Sequence, residues 1–589
     1  MLFQESFYSK KPNVIFILAD DLGYGDLGCT GNPIVQTPNI DKLYEESVRF
    51  TNFHVAPTCS PTRASLLTGH YPNSTGVWHT ICGRSLLRKD EWTLAEAFKE
   101  NGYQTGIFGK WHLGDNYPYR PQDRGFDVAI IHKGGGVGQT PDYWGNDYFR
   151  DVYFVNGQPK KFEGYCTDVW FDEALKFIYS NRNKPFFCYI ATNAPHWPYN
   201  IEKKYFQLYK DKVPEDRARF YGMITKIDEN LGKLRLKLKE WGLEDNTILI
   251  FMGDNGTSTG AMVNKEGFVI DGYNAGLRGI KGSPYEGGHK VPFFIYWPTG
   301  GLSKGKDIDK LSSSIDFMPT LIELCELHTS RDCNFHGKSL VPLLYSSCQD
   351  YQERVIVIDS QRIFKPVKWR QCVVMNDTWR LINGKELYNI KTDPEQRNDV
   401  ALDYPDIVEF LRKKYEEWWN MVSQKFDEEI PISVGSDFEE ETCLTAMDWR
   451  NEECNCPWHQ GFIRQGMKSN GYWEIYVEKS GLYRIELRRW PKEKEYPLSY
   501  GFEGNDIEIE EEAISESVRY HYADGKALPL KWARLKVGDK EYSRKIREED
   551  TKVVFEVPLN YGITHLQTWL TGDNDFEIGA YYVYVRYIK

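Results

Sequence analysis

Long apolar segments are missing from this sequence of 589 residues, and no apolar run approaches the length that a transmembrane helix needs. The first residues, Met1 to Phe7, lack the basic and apolar regions of a secretory signal. We therefore expect no membrane span. The compartment stays open at this point: the chain is periplasmic or secreted if a signal has been removed, and cytoplasmic otherwise.

Basic residues are not in excess either. The chain has 73 Lys and Arg against 85 Asp and Glu, which gives a formal net charge of −12 at pH 7. This balance argues against nucleic acid as a main partner. We find no internal repeat and no low-complexity segment, and the length allows one large domain with a smaller module.

The number of cysteines rules out a fully paired disulfide framework. Of the 12 cysteines, Cys59 belongs to a motif discussed below, and the remaining odd number cannot all pair. A second group resembles a metal cluster, but its Cys-x-Cys spacing departs from common zinc patterns, so free thiols or one disulfide are favoured over zinc. This group consists of Cys443, Cys454, Cys456 and His459.

The order of the predicted elements indicates three parts. Short apolar strands alternate with helical stretches up to about residue 345, which is typical of an α/β sheet with helices on both faces. Residues 350–390 favour a small antiparallel sheet, and a helix follows through Ile407 to Ser423. Beyond Glu428, aromatic and β-branched strands separated by turns predict a β-sandwich-like module. The predicted parts are residues 1–345, 346–427 and 428–589.

One run carries a candidate nucleophile, and it reads Pro57-Thr58-Cys59-Ser60-Pro61-Thr62-Arg63. Pro61 suits an early helical position, and the residues after it can propagate a helix. Cys59 is therefore predicted at a helix N-terminus, which is a favourable place for an anion. If the helix begins close to Cys59, Arg63 lies on the same face. Taken alone, the run also fits a small buried thiol and a solvated arginine.

Acids and an amide follow two apolar runs that read as buried parallel strands. Asp20 and Asp21 follow Asn13–Ala19, and Asp254 and Asn255 follow Thr247–Gly253. If the strands are neighbours, their carboxyl ends bring these side chains together. An all-oxygen set favours calcium, with magnesium second, and disfavours zinc. Each acid alone would more simply be a cap or turn former.

Four further cationic or titratable side chains are candidates for the same site. Lys110 and His112 are two residues apart, so an extended chain would place them on one side. His196 lies in a proline-fixed loop, where a rigid imidazole can act as a general acid. Lys281 lies in a glycine-rich loop that an anion can approach closely.

Together these motifs, in this order, resemble the type I formylglycine-dependent sulfatases of the alkaline phosphatase superfamily. The similarity spans about residues 11 to 425, including the segment Glu386 to Glu395. It implies an alkaline-phosphatase-like, mostly parallel sheet flanked by helices, with a small antiparallel C-terminal subdomain. It also implies a calcium ion bound by Asp20, Asp21, Asp254 and Asn255, together with the sulfate or the modified Cys59.

The resemblance implies roles for the other candidates. Arg63 and His112 would support the hydrated nucleophile, Lys110 and Lys281 would neutralise sulfate oxygens, and His196 would protonate the leaving oxygen. The family often has a small polar residue after the Lys-x-His motif. This chain has His132 there, so we expect His132 to touch substrate.

The implied chemistry starts with oxidation of Cys59 to formylglycine by a maturation enzyme, which is thus an expected partner. The hydrated aldehyde has two hydroxyls, so one can attack sulfur while the other later expels sulfate. Two alternatives remain open. Besides a sulfatase, the chain could be a formylglycine-dependent phosphonate or phosphate ester hydrolase, or an inactive scaffold that binds glycans.

Aromatic residues give the only sequence indication of substrate class. Rings stack on sugar faces, so a sulfated glycan or oligosaccharide is the expected substrate. Trp458 and His459 are predicted to form a sugar subsite within the C-terminal module, although they would equally serve to anchor that module. Other candidates for stacking are Trp144, Trp197, Tyr199 and Trp449.

Overall fold

The computed structural model describes residues 11–329, 331, 333–345 and 352–589. The N-terminal stretch, for which the sequence predicts no signal segment, lies outside these residues. So do residues 346–351, at the first predicted boundary between parts. None of the described helices combines the length and the apolar character needed to traverse a bilayer.

A mixed sheet of ten strands forms the centre of the N-terminal part, in the order β11-β2-β10-β9-β1-β8-β4-β5-β6-β7. The strands from β9 to β5 run parallel, and β3 pairs with β12 in a separate small sheet. The strands are β1 (Asn13–Ala19), β2 (Val48–Phe50), β3 (Phe53–His54), β4 (Gln104–Lys110), β5 (Val128–His132), β6 (Val152–Val155), β7 (Gln158–Lys161), β8 (Phe186–Ala191), β9 (Thr247–Gly253), β10 (Phe293–Tyr296), β11 (Lys306–Ile308) and β12 (Ser312–Ser313).

Strand β1 explains why this sheet lies inside the molecule. All seven of its residues are buried, and alternate side chains enter two separate cores. Ile15 and Ile17 pack into one core, and Phe16 and Leu18 pack into the other. Full burial of each such side chain contributes about 1.5–3 kcal/mol to stability. An unbroken apolar run is thus required, as the sequence predicted.

Helices flank the sheet in the N-terminal part. They are α1 (Pro38–Glu46), α2 (Cys59–Thr68), α3 (Leu94–Glu100), α4 (Cys166–Asn181), α5 (Lys203–Gln207), α6 (Glu215–Glu240), α7 (Glu286–His289), α8 (Phe317–Leu324) and α9 (Val341–Tyr345).

A four-stranded antiparallel sheet and one helix follow. The strands pair in chain order, and the helix buries Leu411, Tyr415 and Trp418 in the core that the sheet forms. The sequence placed this helix at 407–423. The elements are β13 (Ile356–Asp359), β14 (Cys372–Met375), β15 (Trp379–Ile382), β16 (Glu386–Asn389) and α10 (Pro405–Val422).

Two mostly antiparallel sheets make up the C-terminal module, in the orders β17-β19-β24-β21-β22, with β25 on β24, and β18-β26-β20-β23. Both line one core. The elements are β17 (Ile432–Val434), β18 (Glu441–Thr445), α11 (Gln460–Arg464), β19 (Tyr472–Val477), β20 (Gly481–Arg488), β21 (Leu530–Val537), β22 (Lys540–Lys545), β23 (Val553–Leu559), β24 (Gly562–Gly572), β25 (Glu577–Ile578) and β26 (Tyr582–Tyr587). The division into 1–345, 346–427 and 428–589 stays a proposal.

The module docks on loops of the N-terminal part. Its core also takes in Cys82 and Trp144 from that part. Backbone hydrogen bonds join the two: the Thr140 N–H donates to the Trp458 carbonyl at 2.9 Å, and the Cys82 N–H donates to the Met447 carbonyl at 2.8 Å. These contacts bring the module to the loops beyond the carboxyl ends of the parallel strands.

Candidate active site

The ends of β1 and β9 carry the acidic cluster that the sequence predicted. The two strands pair in parallel, with Ala19 opposite Gly253. Oxygens of Asp20, Asp21 and Asp254 therefore lie within 4.8 Å of one another. These three residues and Asn255 are all at most 1% exposed. The predicted pairing of the two strands is confirmed.

The backbone at Asp21 is bent to make this cluster. Its φ is +65°, a conformation that costs energy for a residue other than glycine and that is typical of functional sites. The bend lets the Asp21 N–H donate to Asp254 Oδ1 at 3.0 Å. The two strand ends are thus tied together directly.

Two buried oxygens in the cluster fit a bound cation. Asn255 Nδ2 donates to Asp21 Oδ1 at 2.9 Å, while Asn255 Oδ1 accepts no hydrogen bond within the described residues. Asp20 Oδ1 is likewise buried without a hydrogen-bond donor in that part of the chain. Buried oxygens are normally satisfied, and a set of three carboxylates and one amide oxygen suits a hard divalent cation.

Cys59 begins helix α2, as its sequence motif predicted. The side chain is 2% exposed and lies in the wall of a cavity next to the acidic cluster. Its sulfur is 3.5 Å from His112 Nδ1. The helix N-terminus adds a positive partial charge at the same point.

Arg63 lies one turn further along α2 and links the helix to the acidic cluster. It donates to Asp254 Oδ2 through Nη2 at 2.8 Å and through Nε at 3.2 Å. Its Nη1 donates to the Lys110 carbonyl at 3.1 Å. A planar guanidinium suits this fixed geometry better than an ammonium group would.

Two lysines balance the remaining carboxylates. Lys110 Nζ lies 2.6 Å from Asp20 Oδ2, and Lys281 Nζ lies 2.6 Å from Asp21 Oδ1. Burial raises the pKa of Asp20, although Lys110 opposes the shift. Burial also acts on Asp21, but Lys281 outweighs it and lowers the pKa of that carboxyl. Removing one partner of such a buried pair costs about 3–5 kcal/mol.

The loop that carries Lys281 is held against the Cys59 helix. The Gly282 N–H donates to the Pro57 carbonyl at 2.8 Å. Gly279 and Gly282 have φ values of +89° and +87°, which only glycine adopts readily. The glycine-rich loop thus fixes Lys281 beside the nucleophile candidate.

His112 differs in its local geometry from the extended chain that the sequence predicted. Strand β4 ends at Lys110, and the backbone of His112 turns to a φ of +61°. Its Nε2 lies 2.9 Å from the Thr80 carbonyl, so Nε2 carries the proton and Nδ1 faces Cys59. Burial, followed by Lys110, keeps the pKa of His112 well below its ordinary value.

His196 lies beside the acidic cluster, in the wall of the same cavity as His112. Its Nδ1 bonds to the Trp197 carbonyl, which places the proton on Nδ1 and turns Nε2 toward Asp21 Oδ2 at 4.0 Å. Burial and the nearby Lys281 lower the pKa of His196 to about 3. The ring is therefore neutral, and Nε2 needs to take up a proton before it can donate one.

A cavity of about 510 Å³ opens above these groups. It has room for a sugar ring with its substituents, and residues from the C-terminal module form part of its wall. Its lining includes Asp21, Cys59, His112, His196 and Lys281, and from the module Trp458, Phe462, Ser517, Tyr520 and His521.

Three predicted substrate contacts occupy different places. Trp458 lines the cavity. His132 is fully buried, lies beside Trp170 at 6.3 Å between ring centres, and does not reach the cavity wall. His459 is 1% exposed, and its Nδ1 accepts from the Gly461 N–H at 3.1 Å, which caps α11. The structure therefore brings Trp458, but neither histidine, to the cavity.

The other four aromatic candidates fall into two groups, one in the cavity wall and one in the core of the module. Trp197 and Tyr199 line the cavity, whereas Trp144 and Trp449 are buried in the core of the module. Several other lining residues could not be found from the sequence, because they lie far apart in the chain, in loops and helix ends, and carry no motif. These are Thr80, Ile81, Gly135, Gln139, Asp216, Thr259, Gly260, Arg362, Phe462, Ser517, Tyr520 and His521.

Comparison with known families decides the identity. The family model named Sulfatase matches residues 12–327, which is more than half of the chain. The chain belongs to the sulfatase family. The predicted membership is confirmed, and this sulfatase is a sulfuric ester hydrolase with the α/β fold of the alkaline phosphatase superfamily. A second model, N-sulphoglucosamine sulphohydrolase C-terminal, matches residues 281–420.

Relatives of this sulfatase include named enzymes. Arylsulfatase J of Mus musculus is 28% identical over 472 residues, which cover 69% of this chain and 75% of that protein. N-acetylgalactosamine-6-sulfatase of Homo sapiens is 32% identical over 358 residues, which cover 57% of this chain and 66% of that protein. The crystal structure of Ps i-CgsB in complex with k-i-k-neocarrahexaose has 27% identity and a TM-score of 0.61, covering 70% of this chain and 98% of that one.

Proposed function

We propose that this sulfatase hydrolyses sulfate esters of a carbohydrate, with a formylglycine made from Cys59 and one bound calcium ion. The observation that carries the proposal is the position of Cys59. It lies at the N-terminus of α2, in the wall of the same cavity as Asp21, His196 and Lys281. Two of the similar proteins are named for, or solved with, a carbohydrate.

The Cys59 sulfur stands where the oxygens of a hydrated formylglycine would be. That group supplies a nucleophile with a second hydroxyl, which allows sulfate to leave. His112 faces this point with Nδ1, at 3.5 Å from the sulfur, and can accept a proton there. The Thr80 carbonyl holds the ring in that tautomer.

The acidic cluster fits calcium through Asp20, Asp21, Asp254 and Asn255, two of whose buried oxygens accept no hydrogen bond within the described residues. The ion supplies charge stabilisation at a sulfate oxygen. Arg63 fixes Asp254, and Lys110 fixes Asp20. Lys281 reaches the cavity wall and brings positive charge against a bound sulfate.

A panel of substrates tests the proposal. Position-defined sulfated monosaccharides and oligosaccharides are assayed beside an aryl sulfate and an aryl phosphonate. We expect the highest kcat/KM on one sulfated sugar and weak turnover of the phosphonate. A higher kcat/KM on the phosphonate than on every sulfate would contradict the proposal and favour a phosphonate ester hydrolase.

Replacing His196 by alanine is expected to separate substrates by their leaving groups. An alkoxide needs a proton as it leaves, whereas a phenolate does not, and general acid catalysis contributes about 10²- to 10⁴-fold. We therefore expect kcat on a sugar sulfate to fall by at least about 10²-fold and kcat on an aryl sulfate by less than about tenfold. Steady-state kinetics on both substrates checks this.

The matched control for this experiment is His565→Ala. His565 is a half-exposed histidine that pairs with Glu429 on the module surface, so its loss should change neither rate. Equal losses on both substrates in His196→Ala would remove His196 from the acid role.

Replacing Trp458 by alanine is expected to affect only the natural glycan. Trp458 lines the cavity and stands edge-on to Trp197, with ring centres 6.1 Å apart. A lost stacking contact should lower kcat/KM on the sulfated sugar by about tenfold and spare a small aryl sulfate and the melting temperature. Kinetics on both substrates and thermal unfolding check this.

Two control variants separate a subsite from an anchor. Trp449 is fully buried against Trp473 and Tyr581. Trp449→Ala should therefore lower the free energy of unfolding by about 3–5 kcal/mol. His459→Ala should lower the free energy of unfolding by about 1 kcal/mol, since it removes a helix cap. If Trp458→Ala loses melting temperature and both activities together, the subsite is refuted and the residue is an anchor.

A further inference from the structure

Three cysteines meet where the C-terminal module docks on the N-terminal part. The sulfur of Cys82 lies 3.9 Å from that of Cys456, and Cys454, two residues before Cys456, acts on the same thiol and raises its pKa. The sequence raised a metal cluster of Cys443, Cys454, Cys456 and His459 but favoured free thiols or one disulfide, and the three cysteines are free thiols in the structure. Cys443 lies on β18, and His459 caps α11.

The arrangement fits sulfur–sulfur chemistry better than a metal site. Among the described residues, three groups of His, Cys, Asp or Glu place their ligand atoms within 4.8 Å of one another, and none of the three contains a cysteine. The close sulfur–sulfur contact is instead between two residues, Cys82 and Cys456, at 3.9 Å, with Cys454 in the same loop as Cys456.

We propose that Cys82 and the Cys454-Asn455-Cys456 pair form a thiol–disulfide site, at which a low-molecular-weight disulfide cross-links the module to the N-terminal part. The backbone already holds the sulfurs together. The Cys82 N–H donates to the Met447 carbonyl at 2.8 Å. Cys82 and Cys454 have φ values of +61° and +48°, which non-glycine residues adopt only when the surrounding structure holds them.

The three cysteines have different exposure and acidity. Cys82 and Cys456 are 0% and 2% exposed, respectively, while Cys454 is partly exposed. The hydrogen bond from the Cys82 thiol, together with Arg84, lowers the pKa of Cys454. Hydrogen bonding to Cys454 and Cys456 raises the pKa of Cys82. Because Cys454 alone of the three is partly exposed, we assign it as the thiol that meets an external disulfide and Cys82 as the resolving thiol.

The reaction is a two-step exchange. The Cys454 thiolate attacks one sulfur of the external disulfide and expels the other half as a thiolate, which leaves a mixed disulfide. Cys82 loses its proton, attacks the Cys454 sulfur and expels the second half. Two protein thiols become one disulfide, and the external disulfide takes up the two electrons as two thiols. Cys456, 3.9 Å from Cys82, can take the place of Cys454 by a further exchange.

The cross-link would fasten two walls of the cavity to each other. Thr80, two residues before Cys82, holds His112 through its carbonyl and lines the cavity. Trp458, two residues after Cys456, lines the cavity from the module side. A disulfide at this point closes a very long loop of chain, so it should stabilise the docked module.

Peptide mapping of the full chain tests the site. The protein is incubated with oxidised glutathione, alkylated, digested with trypsin without reduction and analysed by mass spectrometry. Peptide 64–84 holds Cys82, and peptide 451–464 holds the other two. We expect these peptides to be cross-linked and to separate on reduction. Three results would overturn the proposal. They are recovery of both peptides without a cross-link, a glutathione adduct with no cross-link, and a disulfide confined to peptide 451–464.

Variants and thermal unfolding complete the test. Oxidation should raise the melting temperature of the wild-type chain by at least about 3 °C. The shift should vanish in Cys82→Ser and persist in Cys29→Ser, a partly exposed cysteine that lies on an N-terminal loop. If Cys82→Ser does not fold, the double variant Cys454→Ser with Cys456→Ser takes its place. A cross-link without a shift would overturn the claim that it fastens the module.

Discussion

Replacing Cys59 by serine is expected to lower kcat on any sulfate ester by at least about 10⁴-fold, because a serine has one hydroxyl and cannot expel the sulfate that it takes up. The fold should tolerate the change. Cys59 is the first residue of α2, and serine differs from cysteine only by an oxygen in place of the sulfur. Steady-state kinetics and the melting temperature of the purified variant check both parts.

The neighbouring residue gives the matched control. Ser60 is buried on the same helix, and its hydroxyl makes no hydrogen bond within the part of the chain that the structure describes. Ser60→Ala should therefore keep both activity and stability. Undiminished turnover in Cys59→Ser, or equal losses in the two variants, would contradict a nucleophile at position 59.

Removing the divalent ion is expected to lower activity by at least about 10³-fold, and calcium should restore it. Asp254→Ala should lower kcat by a similar factor and lose the bound ion. It also takes from Arg63 the carboxylate that it contacts at 2.8 Å. Assays after chelation, and metal analysis of the purified variant, give readouts independent of each other.

Asp228→Asn is the control for a buried acid outside the site. Burial raises the pKa of Asp228 to about 6, and its carboxylate accepts the Ile40 N–H at 2.7 Å. This variant should keep activity, calcium and the response to chelator. Stoichiometric zinc at the acidic cluster, or full activity in Asp254→Ala, would refute the calcium assignment.

The acidic cluster at the ends of β1 and β9 could be predicted from the sequence, because two strands position it. An apolar run with no alternation has to be buried on both faces, and the observed bounds of β1 and β9 are those of the two predicted runs. Acids that follow two adjacent parallel strands then meet at one edge. Neither step needs information from distant loops.

The rest of the cavity wall could not be predicted, because loops and the docking of the later parts of the chain position it. The backbone of His112 turns out of the extended conformation at a positive φ. A histidine in the sequence does not predict such a turn. His132, which the sequence predicted to touch substrate, ends β5 and is fully buried. Arg362, Tyr520 and His521 reach the cavity from segments that have no motif, and they do so only because the later parts of the chain dock there.

The most direct test of the account is to measure how the aldehyde content at Cys59 relates to the active fraction. Preparations made with increasing amounts of the maturation enzyme are analysed by peptide mass spectrometry, and each is assayed on an aryl sulfate. The account predicts that kcat per total protein rises in proportion to the formylglycine fraction and extrapolates to zero at none. A preparation with wholly unmodified Cys59 and full activity would contradict it.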